Sequence, residues 1–249
     1  MAFLELHFKS QALKTTVTVN VILPDDADST CKTLYLLHGA SGDHSVWMRF
    51  SAIERYAKKH KIAVVMPNVS NSWYTDTAYG VNYFTFAAEE LPKLCRQYFR
   101  CMTDRREDNF IGGLSMGGYG ALKIALTYPE RYFACVSLSG ALDITRKSRP
   151  YSLELWKSNF GFELGSALEL ENTKHDVFYL TKQNKAANKP FPKMFIWCGT
   201  EDSLLSVNRN YHSLLTDLNV EHEYRESEGT HSWEWWDMHI ENALNFIFK

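Results

Sequence analysis

Four short apolar runs constrain what this chain can fold into more than any other feature. They are Leu34–Leu37, Ile62–Met66, Cys135–Leu138 and Met194–Cys198, each soon closed by Gly, Pro or Asn. A strand with one wet face alternates apolar and polar residues, whereas a strand covered on both faces does not. Such runs therefore suit the buried strands of a parallel sheet. Thr15–Leu23 does alternate (Val17, Val19, Val21, Leu23) and reads as a half-exposed strand that ends at Pro24-Asp25-Asp26.

Helical spacing fills the gaps between the runs. Val46, Phe50, Ile53 and Ala57 form one stripe. Tyr83, Phe86, Ala87, Leu91, Leu94 and Tyr98 form a second, which Pro92 is expected to kink. Leu204, Val207, Tyr211, Leu214 and Leu218 form a third, and Trp233, Trp236, Ile240, Leu244 and Ile247 a fourth. All four read as core-facing packing. Strand–helix alternation implies an α/β fold, with a mostly parallel central sheet and helices on both faces. The 249 residues suit one domain. Residues 144–190 break the rhythm. They are polar, contain Gly161 and Gly165 and end rich in Lys and Asn, so they read as a small cap inserted over the carboxyl edge of the sheet.

Composition removes several classes of function. Lys and Arg total 27 against 29 Asp and Glu, a net charge of −2, so no basic excess points to nucleic acid or an anionic membrane. No run approaches the roughly 18 apolar residues of a membrane span. The N-terminus shows no basic stretch followed by an apolar one, so a cytoplasmic location is expected. The five cysteines (Cys31, Cys95, Cys101, Cys135, Cys198) are odd in number and widely spaced, which suits free thiols in a reducing compartment. The sequon Asn68-Val69-Ser70 then carries no weight. The chain lacks G-x-G-x-x-G, a P-loop lysine and H-E-x-x-H, so no cofactor and no metal are expected.

The strongest chemical signal is Gly113-Leu114-Ser115-Met116-Gly117, a G-x-S-x-G pentapeptide. Alone it would be weak. Here an apolar stretch precedes it, and a helical run (Ala121, Leu122, Ile124, Ala125, Leu126) follows and stops before Pro129. That is the strand–turn–helix setting of a nucleophile elbow, with the serine held at a helix N-terminus. A serine hydroxyl needs a base. His231, in Glu228-Gly229-Thr230-His231-Ser232-Trp233, follows a β-like run and precedes the last helix, which places it at the carboxyl edge. His38, at the end of an apolar strand, is a rival. His7, His44, His60, His175, His212, His222 and His239 read as surface or packing residues. The acid that orients the base is Asp202, just past the strand end in Gly199-Thr200-Glu201-Asp202, with Glu201 and Asp143 as weaker candidates. Acyl transfer also needs two oxyanion donors. These fall to the backbone N–H groups of Met116 and of Ala40, with Ser41 as fallback. Trp47, Trp73, Tyr74, Tyr79 and Trp233 lie in or beside carboxyl-edge segments and are expected to bound a short acyl slot.

The set His38-Gly39, the Ser115 elbow, Gly199-Thr200-Glu201-Asp202 and His231-Ser232-Trp233-Glu234-Trp235-Trp236 resembles the esterase D-like branch of the α/β-hydrolases. Within that branch it is most similar to the bacterial tributyrin esterases, from about Val17 to the C-terminus. The triad order Ser115, Asp202, His231 is the α/β-hydrolase order. The resemblance implies the α/β-hydrolase fold, a cytoplasmic serine carboxylesterase acting on short-chain esters, and an oxyanion N–H from the residue after His-Gly, here Ala40. The partner implied is a small-molecule ester, with a homo-oligomer left open. A thioesterase of the S-formylglutathione hydrolase kind, or an acyltransferase, is the second reading. Those hydrolases carry Leu-Thr-Cys after His-Gly, where this chain has Ala40-Ser41-Gly42. A non-catalytic binding module is the third, and it would ordinarily have lost a triad member.

Overall fold

The computed structural model describes residues 1–25, 30–145, 159 and 170–248. Its frame among the described residues is one eight-stranded sheet in the order β1-β2-β4-β3-β5-β6-β7-β8. The strands are β1 (Ala2–Lys9), β2 (Thr16–Leu23), β3 (Lys32–Leu37), β4 (Ile62–Pro67), β5 (Asn109–Leu114), β6 (Ala134–Leu138), β7 (Lys193–Gly199) and β8 (His222–Ser227). From β4 across to β8 every pairing is parallel, and only β2 runs against its neighbours. The apolar runs are thus the central strands, as expected of strands covered on both faces. With this sheet the chain has the α/β-hydrolase fold.

Two cores explain that burial. On one face Tyr35, Leu37, Ile111 and Ile196 pack on α3 (Tyr83–Thr85), α4 (Leu91–Tyr98), α5 (Met116–Thr127), α6 (Val177–Ala186) and α7 (Leu205–Asp217). On the other, Leu34, Leu36, Phe110 and Trp197 pack on α1 (Val46–Phe50), α2 (Ile53–His60) and α8 (Trp233–Ile247). Alternate residues of β3 serve opposite cores, so neither face of this strand can be polar. No described helix is long and apolar enough to cross a membrane.

Four features differ from the sequence expectation. The first stripe is two helices, because the chain leaves helical geometry at Ser51 (φ −138°, ψ 169°), and Phe50 ends exposed. The second stripe is not a plain α-helix up to Pro92. Residues Phe86–Glu90 widen into a π-turn, and Pro92 sits in the first turn of α4, where its missing N–H costs nothing. Strand β2 is mostly buried, since β1 and β4 flank it and Asn20 reaches across to the His44 carbonyl at 3.1 Å. The segment 144–190 is not all cap. Helix α6 belongs to the layer beside α5 and α7: Asn184 donates to the Leu126 carbonyl at 2.6 Å, and Thr181 Oγ1 meets Tyr211 Oη at 2.8 Å. The rest of that expectation, apart from residues 144–145, Asn159, 170–176 and 187–190, lies outside the described residues.

The site is fixed by the connection order. The chain leaves β3 for β4 on one side and returns to β5 on the other. The loops after β3 and β5 therefore part at a topological switch point, where α/β sheets bind ligands.

Candidate active site

Ser115 stands between β5 and α5 in a conformation that side chains rarely adopt, φ 53° and ψ −118°. The surroundings enforce it. Its N–H donates to the Leu138 carbonyl at 2.9 Å, and its carbonyl accepts from Ala141 at 3.0 Å and Tyr119 at 3.1 Å. The motif glycines make the turn possible. A Cβ on Gly113 would lie 2.5 Å from the Gly117 carbonyl, and one on Gly117 would lie 2.4 Å from the Leu37 carbonyl oxygen. Strand β3, the serine turn and α5 can close on one another only where side chains are missing.

His231 Nε2 lies 3.1 Å from Ser115 Oγ, and His231 Nδ1 lies 2.8 Å from Asp202 Oδ2. The Asp202 side chain is fully buried, which by itself would raise its pKa. The His231 hydrogen bond, the Leu204 N–H at 2.8 Å and the Ser139 hydroxyl outweigh burial and hold the carboxyl below the usual range. An ionised carboxylate only accepts, so Nδ1 carries the proton and Nε2 turns its lone pair on the serine hydroxyl. The Trp236 ring stands edge-on to the imidazole at 4.8 Å and 88°, which limits its rotation.

The rival residues have other employment. Glu201 is exposed and accepts the Gly229 N–H at 2.7 Å. Asp143 caps Thr145 through its N–H and hydroxyl. His38 is buried, donates from Nδ1 to the Gly39 carbonyl at 2.8 Å and accepts the Val69 N–H on Nε2 at 3.1 Å. Burial pushes its pKa down to about 4. Both its nitrogens are used, so it cannot serve as a base for Ser115.

Ala40 lies in the loop after β3, and Met116 opens α5 immediately after the serine. The Ser41 N–H, the fallback donor, is engaged by Asn71 Oδ1 at 2.6 Å.

The aromatic side chains expected to bound an acyl slot separate into groups. Trp47, Trp73 and Tyr74 are core residues with no more than about 1% of their surface exposed. Trp47 donates to the Leu37 carbonyl at 3.1 Å, Trp73 packs on Tyr119, and the Tyr74 hydroxyl donates to the His38 carbonyl at 2.9 Å. They hold up the floor of the site. Tyr79 is 73% exposed on a surface loop. Trp233 is half-buried among Trp47, Phe50 and Trp236. Asn71 and Ser139 escaped the sequence reading, since no motif or periodicity marks either. The five cysteines are buried free thiols.

Comparison with known proteins identifies the family. Residues 10–247 match the esterase family described as "Putative esterase". An acetyl esterase of Caldicellulosiruptor saccharolyticus is 32% identical over 100% of this chain and 99% of its own length. Among solved structures, a fluorophosphonate-binding serine hydrolase of Staphylococcus aureus, FphF, superposes with a TM-score of 0.92 at 33% identity, covering 100% of this chain and 98% of that one. An S-formylglutathione hydrolase of the same organism gives 0.91 at 33%, covering 100% and 99%. The chain belongs to this esterase family and is a carboxylic ester hydrolase.

Proposed function

We propose that the protein is a serine carboxylesterase that cleaves short-chain acyl esters through an acyl-enzyme on Ser115. The observation that carries this is the continuous chain Ser115 Oγ–His231–Asp202, at 3.1 and 2.8 Å. His231 Nε2 takes the serine proton as Oγ attacks the ester carbonyl, and Asp202 stabilises the imidazolium that forms. The N–H groups of Ala40 and Met116 receive the developing oxyanion. Each such donor is worth about 3–4 kcal/mol in a preorganised site. His231 then returns the proton to the leaving alcohol. Water, activated by the same imidazole, releases the acid.

A p-nitrophenyl ester panel from C2 to C12, with wild type and Ser115→Ala, tests this reading. Activity should be highest at about C2–C6 and lost in the variant. The short-chain preference leans on the likeness to an acetyl esterase and to tributyrin esterases. A wild-type optimum at C10 or longer would sink it.

The full-length likeness to an S-formylglutathione hydrolase favours one second reading, a thioesterase using the same residues. Ala40-Ser41-Gly42 in place of Leu-Thr-Cys argues against that substrate. Comparing kcat/KM for S-formylglutathione and p-nitrophenyl acetate separates the two.

A further inference from the structure

The loop that follows β4 touches the loop that follows β3 at three points. The Val69 N–H donates to His38 Nε2 at 3.1 Å, the Tyr74 hydroxyl donates to the His38 carbonyl at 2.9 Å, and Asn71 Oδ1 accepts the Ser41 N–H at 2.6 Å. Both loops pass through left-handed backbone without glycine: Ser41 at φ 62°, Ser70 at 51°, Trp73 at 54° and Tyr74 at 47°. L side chains disfavour that region, so these turns persist only where neighbours hold them. Two of the three contacts grip His38. The third is the only side-chain acceptor on the tip of the β3 loop, beside Ala40, among the described residues.

We infer that Asn71 is a positioning residue for the oxyanion hole. This rests on the serine esterase reading above. With the Ser41 N–H held by Asn71, the Ala40–Ser41 peptide is fixed and Ser41 stays left-handed, so Ala40 keeps the backbone angles that leave its own N–H, on the Gly39–Ala40 peptide, available to substrate. Asn71 is itself fixed, because its carbonyl accepts from the buried Asn159 amide at 2.9 Å. Released from Asn71, Ser41 can relax to negative φ. The Ala40 peptide then turns, and the hole loses one of its two donors. The serine, the imidazole and the substrate's ground-state contacts are untouched, so the loss falls on kcat rather than KM.

The test is kcat per active site, counted by titration to completion with a fluorophosphonate, for wild type, Asn71→Leu and Asn71→Asp. Leucine keeps the bulk and loses the acceptor; aspartate keeps the acceptor. Asn71→Leu should lose about 10²–10³-fold in kcat per titrated site with KM within about threefold, the size of one lost oxyanion donor. Its affinity for a short-chain trifluoromethyl ketone, whose adduct carries the oxyanion, should fall in parallel. Asn71→Asp should keep at least about tenfold more kcat than Asn71→Leu despite its added charge. A residue that merely supports the fold would lower the number of titratable sites and leave kcat per site unchanged. That result, or equal losses in the two variants, overturns the inference. If Asn71→Leu yields no titratable sites, Asn71→Ala is read by the same criteria. If Ser115→Ala retains wild-type turnover, it is the serine esterase reading that fails.

Discussion

The Glu201 carboxylate accepts the Gly229 N–H at 2.7 Å while the Glu201 N–H donates to the Gly229 carbonyl at 3.0 Å, so the loops bearing Asp202 and His231 are stitched together as one unit. Neighbouring carboxylates thus have different tasks. Glu201 sets the distance between the loops, and Asp202 touches the imidazole.

Substitution separates those tasks. Asp202→Asn keeps the shape but disfavours the tautomer that the serine needs, and should lower kcat by about 10⁴. Glu201→Gln still offers an oxygen to the Gly229 N–H and should stay within about tenfold of wild type. Steady-state kinetics on one p-nitrophenyl ester decides it. The assignment fails if the glutamine variant is the worse of the two.

Ser115→Ala should cost on the order of 10⁴–10⁶ in kcat, because no other oxygen occupies that point. Ser115→Gly should be equally inactive yet more stable than Ser115→Ala by about 1 kcal/mol, since glycine adopts φ 53° without strain. Urea unfolding of the two inactive variants measures the difference. Equal midpoints would mean that the turn stores no strain.

Gly117→Ala brings a methyl to 2.4 Å from the Leu37 carbonyl oxygen, which belongs to the central strand and cannot retreat. The variant should lose about 3 kcal/mol or more of stability. It should also lose activity, because moving β3 or α5 moves the Ser115 turn and the loop that carries Ala40. A variant with wild-type midpoint and turnover would contradict this contact between α5 and β3.

What the sequence made legible followed from local physics. A buried parallel strand needs a continuous apolar run, and a nucleophile elbow needs glycine where backbones touch, so β3–β7 and Ser115 announce themselves. Asp202 and His231 are legible as candidates because each lies just past a strand end. β1 was as legible as β2 but not read: Leu4, Leu6 and Phe8 alternate with Glu5, His7 and Lys9, and the apolar set is the partly buried one. The break at Ser51 and the π-turn before Pro92 are tertiary accommodations within otherwise helical spacing. Asn71 acts through its partner's backbone, and backbone hydrogen bonds leave no trace in composition or period. Bulk alone does not say whether an aromatic side chain at the carboxyl edge is packed in the core or exposed, as the buried Trp47 and the exposed Tyr79 show.

His38 gives the fold an acid limit. Its folded pKa of about 4 lies below the usual histidine value, chiefly from burial. The unfolded chain therefore binds a proton there below about pH 6.5 that the folded chain refuses. Stability from this group is fully present above pH 6.5 and is lost as pH falls toward 4, by up to about 3 kcal/mol. His239, pushed down to about 4 mainly by burial as it stacks on Trp197, adds in the same direction. Urea midpoints at pH 7.5, 6 and 5 should fall steadily, and His38→Gln should flatten the slope. An unchanged slope in that variant would show that His38 is not held neutral.

Trp47 lies beneath the loop that follows β3. Its ring is buried, its Nε1–H donates to the Leu37 carbonyl at 3.1 Å, and it meets Trp233 at 5.1 Å with the two rings at 88°. Truncation would leave a cavity under the β3 loop and an unpaired carbonyl, so Trp47→Ala should cost about 3–5 kcal/mol. Such a residue supports the site without measuring the acyl chain. The C4/C10 ratio of kcat/KM should therefore stay within about twofold of wild type at a temperature where the variant is folded, even as kcat itself falls. Trp233→Ala removes a half-buried ring from the outer side of the same cluster and should destabilise less. If Trp47→Ala instead shifts the optimum toward longer esters with its unfolding midpoint unchanged, Trp47 bounds the slot and its place in the core has been misjudged.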